Sequence, residues 1–89
     1  MRRHRLTASF HRAVEQHVPR GSSLNDAIAD TLVTLKDEAQ PLPGPKDQDD
    51  LALPFRRFFA RPVRGTDLVV VYELAGDVVV IHSVRLASW

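Results

Sequence analysis

The stretch TDLVVVYELAGDVVVIHSVR, residues 66–85, holds two runs rich in valine on either side of Ala75-Gly76-Asp77. β-Branched and aromatic residues suit a pleated, half-buried surface, and Gly76 can adopt the positive φ that a tight turn needs. The pattern predicts a β-hairpin of residues 67–74 and 78–84. With Ala75 and Gly76 as the loop, Glu73 faces Val78, Val71 faces Val80, Val69 faces His82 and Asp67 faces Val84. Alternation then puts Val69, Val71, Val78, Val80, His82 and Val84 on one face, with Leu68, Val70, Tyr72, Leu74, Val79, Ile81, Ser83 and Arg85 on the other. Both faces are apolar. Two helices can shelter one of them. Sheet curvature, a long loop, self-association or a bound partner must close the second.

Before the hairpin, FRRFFARPV (55–63) reads as a further strand, with Pro62 marking an edge, a bulge or the strand end. QPLPGPKDQDDLALP (40–54) reads as a linker, since four prolines and a glycine oppose regular structure. TASFHRAVEQHV predicts a helix capped by Ser9 or Thr7, with Phe10, Ala13, Val14, His17 and Val18 on one stripe. SSLNDAIADTLVTLKDEA predicts a second helix, capped by Ser23, that lines up Leu24, Ile28, Leu32, Leu35 and Ala39. RRHRLT (2–7) fits a short edge strand, where charges are well placed. The expected fold is α+β: a helical hairpin packed on a small curved antiparallel sheet in the order β-α-α-β-β-β, with residues 1–89 as one domain.

The bulk numbers agree with that size. Of the 89 residues, 44% are hydrophobic and 26% charged, which is a globular rather than a disordered profile. There is no cysteine, hence no disulfide framework and no thiolate metal site. The basic start lacks an apolar stretch behind it, and no run is long enough to span a membrane, so the chain reads as cytoplasmic. The net charge of +1 is a sum of unlike parts: +4 for residues 1–20, −5 for 21–54 and +2 for 55–89. Ten of the twelve basic residues are Arg, placed at the two ends. If the ends meet, they make a basic face, and guanidinium forks favour phosphate.

Candidate functional residues follow from these patterns. His82 is either a titratable acid or base near neutrality or a packed residue among valines. Arg57, Arg61 and Arg64 form a phosphate rail or a solvated strand face, with Arg85 expected at the same sheet end. Trp89 is a base-stacking platform or a plug for the tail, and Asp67 beside Gly65-Thr66 reads best as a turn-maker. His4, His11 and His17 have no partners at metal-ligand spacing, so no metal and no cofactor is expected.

Three stretches resemble the RelE/ParE superfamily of bacterial toxins from type II toxin–antitoxin pairs. TASFHRAVEQ is similar to the family's opening, LVVVYEL to its core strand with Tyr72 at the shared Tyr, and GDVVVIHSVR to its last strand. The resemblance spans nearly the whole chain. In the YafQ-like subgroup the closing His and Phe fall at Arg85 and Trp89, and an Asp falls at Asp67. Asp50 and Val63 stand where that subgroup carries His, and Val69 stands where RelE carries Arg. The resemblance implies a ribosome-dependent mRNA endoribonuclease, acting without metal through the ribose 2′-hydroxyl, that causes growth arrest. Arg85, Arg61 and His82 would be its catalytic groups, with Arg57, Arg64 and Trp89 holding RNA. The implied partners are an antitoxin, in a homodimer or heterotetramer, and mRNA on the ribosome; no membrane is implied. A gyrase-inhibiting toxin of ParE type and a non-catalytic binding module are the alternatives.

Overall fold

The computed structural model describes residues 2–53 and 56–87. The chain runs β1 (Arg3–Leu6), α1 (Ala8–His17), α2 (Ser23–Lys36), β2 (Gln48–Leu53), β3 (Arg56–Pro62), β4 (Leu68–Ala75) and β5 (Val78–Leu86). Two helices pack on a five-stranded sheet of order β1-β5-β4-β3-β2. This is the expected α+β architecture with two differences. First, the sheet is mixed: β1 lies parallel to β5, and every other pair is antiparallel. The N-terminal and C-terminal strands therefore do meet. Second, the stretch read as linker contains β2. Its prolines cluster at Pro41, Pro43 and Pro45, ahead of a strand that pairs with β3 in an irregular register between Asp49 and Ala52. No helix among the described residues is long and apolar enough to cross a membrane.

Both helices form where the sequence places them. Thr7 caps α1, its hydroxyl accepting from Phe10 N at 3.1 Å. Phe10, Ala13 and Val18 are buried, but His17 is exposed, contrary to the stripe reading. Helix α2 buries Ile28, Thr31 and Leu35 and stops at Lys36, so Ala39 lies in an exposed turn. Ser22, not Ser23, occupies its N-cap position. Against these helices the sheet presents Phe59, Leu68, Val70, Tyr72, Val79, Ile81 and Val84.

The hairpin register corrects the sequence reading. Ala75 pairs with Val78, so the loop is Gly76-Asp77, with Gly76 at φ +63°. Ala75 carries a Cβ and is disfavoured at positive φ, whereas Gly and Asp suit a two-residue turn. Further along, Tyr72 pairs with Ile81 and Val71 with Ser83, leaving His82 as an extra residue, a β-bulge. The bulge reverses the alternation. Val84 joins the helix-facing core, and Ser83 and Arg85, opposite Val71 and Val69, move to the second face.

Of the four ways to close the second face, self-association and a partner are not needed for its apolar residues. Phe58, Ala60, Val69, Val71 and Val80 on it are all buried. Among the described residues, the exposed large hydrophobic side chains are Val33 and Leu86. Part of the cover comes from polar side chains lying over apolar ones. The Arg56 guanidinium sits 4.6 Å above the Phe58 ring, and the His82 ring lies 5.3 Å from it.

Candidate functional site

The second face carries a connected polar cluster. Phe58 on β3 is directly opposite Glu73 on β4. Glu73 is 8% exposed and cannot stay charged there without partners. Arg56 supplies a two-pronged grip: Nε donates to Oε2 at 2.9 Å and Nη2 to Oε1 at 2.8 Å. On the other side His82 Nε2 lies 2.8 Å from Glu73 Oε1. Arg56 contributes most to holding the Glu73 carboxyl at about 2; burial opposes it and His82 assists. Glu73 in turn raises the Arg56 pKa. An ionised carboxylate only accepts hydrogen bonds, so His82 donates from Nε2. In the neutral ring that leaves Nδ1 as the lone-pair nitrogen, and no hydrogen bond reaches it from the described residues.

The bulge aims this histidine. Its backbone is clamped from the helix side: Thr7 Oγ1 lies 3.3 Å from the carbonyls of both Ile81 and His82, and Thr7 N donates to Ile81 O at 3.1 Å. The residue that caps α1 thus also fixes the kink that turns His82 toward Glu73. Ser83 and Arg85 follow on the same face of β5. Both are partly buried, and Arg85 Nη1 donates to Leu86 O at 3.2 Å.

A second polar cluster lies on the helix side. Arg61 pairs across the ladder with Val70 and so shares the core face. Its guanidinium grips Asp47 through Nε to Oδ1 and through Nη2 to Oδ2, the latter at 3.0 Å. The Tyr72 hydroxyl also donates to Asp47 Oδ2, and Gly44 N donates to the same oxygen at 2.7 Å. The Asp47 side chain is fully buried. Burial first, then the hydrogen bond to Asp47 and the Asp47 charge, push the Tyr72 phenol up from its ordinary pKa. A Cβ on Gly44 would meet Arg61 Nη2 at 2.5 Å, so glycine is what lets the loop close over this pair.

The structure therefore separates residues that the sequence reading had grouped. Arg61 and Arg85 sit on opposite faces of the sheet, contrary to the expectation that they lie together. Arg61 is occupied by Asp47. Arg57 is exposed on the helix side of β3, with its guanidinium 5.3 Å above Phe59. Arg64 is exposed in the turn after β3, at the rim of a cleft shared with Lys46 and α2. His82 and Arg85 share one face, and Trp89 lies outside the described residues. Asp67 is exposed in the turn before β4. Sequence reasoning missed Glu73 and Arg56. The signal was a single carboxylate in an otherwise apolar strand, at the same parity as Val69 and Val71. Among the described residues no group of His, Asp and Glu side chains is arranged to hold a metal ion.

Comparison with known proteins gives a fold and no family. No family model matches the chain, and no curated protein matches it. Among solved structures, it resembles a copper-bound point mutant of a toxin from Helicobacter pylori, with a TM-score of 0.68 at 21% identity. The match covers 97% of this chain and 94% of that one. The chain thus has the fold of a bacterial toxin over nearly its full length.

Proposed function

We propose that the protein is the toxin of a type II toxin–antitoxin pair, of RelE/ParE type, and that it cuts mRNA on the ribosome. The observation that carries this reading is His82, fixed by buried Glu73, on the same face of β5 as Arg85. The shared fold with a bacterial toxin supports it.

Cleavage through the ribose 2′-hydroxyl needs a base for that proton and a cation for the charge that grows on the phosphate. Neutral His82 takes the proton at Nδ1, while Glu73 steadies the imidazolium that forms. The 2′-oxygen bonds to phosphorus and the bond to the 5′-oxygen breaks. That oxygen leaves with a proton from water, giving a 2′,3′-cyclic phosphate and a 5′-hydroxyl. Arg85 faces the phosphate, since a guanidinium can hold two of its oxygens. Arg61 has no part in the chemistry in this reading, because freeing it would strand buried Asp47. Arg57, on the helix side of β3, and Arg64, in the cleft beside α2, stand apart from that face and have no part in this reading, and an antitoxin remains the protein partner.

Expression in a susceptible bacterium tests the proposal. Growth arrest with cut messages, lost in both His82→Ala and Arg85→Ala, is the expected result. Arrest with DNA-damage signalling and intact messages would favour the gyrase-inhibiting alternative, and no arrest would overturn the toxin reading.

A further inference from the structure

Three arginines on the second face lie outside the cluster that holds Glu73. Two of them are on β1, which the proposed chemistry does not use. Parallel pairing sets Arg3 beside Val78 and Arg5 beside Val80, and Val80 is the cross-strand partner of Glu73. Arg2 and Leu6, at the other parity, turn to the helix side: Arg2 reaches the carbonyls of Leu35 and Gln40, and Leu6 packs on the core. Arg3 and Arg5 therefore project from the same face as His82 and Arg85.

Along the border of β1 and β5 the order is Arg3, Arg5, His82, Arg85. Arg3 and Arg5 are two residues apart, about 6.6 Å along the strand. That separation suits neighbouring phosphates of an extended nucleotide chain. Arg5 is exposed, and its guanidinium has no ion pair or hydrogen bond among the described residues. Arg3 meets Asp77 at 3.2 Å, but both side chains are more than 70% exposed, so water screens that pair and a phosphate can displace it. A shallow groove runs between them over Ala75, Val78 and Val80. With Val78 and Val80 below and Arg3, His4 and Arg5 beside them, it suits a single strand, whose bases and phosphates are both accessible.

We infer that β1 is a phosphate-binding arm: Arg5 and Arg3 hold successive phosphates of single-stranded RNA leading away from the nucleotide at His82. This rests on the proposed function and adds a direction to it, since the message would run along the β1–β5 border rather than across the sheet.

The test is binding of a fluorescein-labelled single-stranded RNA of mixed sequence to the full chain, by anisotropy over a range of salt concentrations. Arg5→Ala and Arg3→Ala should each lower affinity about fivefold at low salt and reduce the log–log salt slope by about 0.7. Arg20→Ala, at an exposed arginine in the turn between the helices and outside the proposed path, should bind as the wild type does. Arg3 and Arg5 are both exposed, so circular dichroism should show an unchanged fold. Unchanged affinity and slope in both the Arg3 and Arg5 variants would overturn the inference, as would a wild type that does not bind the RNA at low salt. The growth-arrest result with His82→Ala reports separately on the proposed function, so the two failures are distinguishable.

Discussion

At the scale of single residues, the two charged clusters differ in what their carboxylates do. Glu73 holds a histidine at the surface of the sheet, while Asp47 pins a loop to its inside. Glu73 has a depressed pKa. Its contribution to stability is present above the unfolded carboxyl value, about 4.3, and is lost as pH falls toward about 2. Comparison of acid unfolding of the wild type with Glu73→Gln should show a stability gap that is full above about pH 5 and closes as pH falls through that window. A gap independent of pH would mean that the Glu73 charge contributes nothing. Asp47→Ala should cost about 3 kcal/mol, because it leaves Arg61 and the Tyr72 hydroxyl without their partner in a buried site. For a chain of this length that lowers Tm by more than 10 °C, about 4–8 °C per kcal/mol. A change of a degree or two would contradict the reading of Arg61 as structural.

At the scale of elements, Thr7 joins a helix to a strand. It caps α1 and clamps the bulge that aims His82. Thr7→Ala should cost about 1–2 kcal/mol through the lost cap. It should also loosen the His82 backbone, seen as faster amide exchange at Ile81 to Ser83. Thr7→Ser, which keeps the hydroxyl, should restore both. Helices α1 and α2 and the last three strands were legible in the sequence because their periodicity is strong and their turns are marked by Gly21, Gly65 and Gly76. Strand β2 was not, because nearby prolines masked a segment with no alternation of its own. The bulge was invisible for a different reason. Valine and isoleucine occupy both parities of β5, so an inserted residue leaves no gap in the hydrophobic pattern.

At the scale of the whole molecule, the arrangement follows from the meeting of the two chain ends. Pairing β1 with β5 brings arginines of the N-terminal segment beside those near the C-terminus, the condition under which their uneven distribution makes a basic face. What the sequence could not convey was which face each arginine would take. That depends on registers and on one bulge, and these send Arg61 inward while His82 and Arg85 stay together on the far side. The apolar second face needs no partner to close over Phe58, Ala60, Val69, Val71 and Val80, which are buried within the chain, so the polar groups on that face carry the functional reading. The central claim is that Glu73 and His82 form a working base on this face. Purified protein added to ribosomes translating a defined message, with the message ends mapped, tests it most directly. The account predicts new 5′-hydroxyl ends with the wild type and none with His82→Ala; cuts that persist unchanged in that variant, or an uncut message with the wild type, would contradict it.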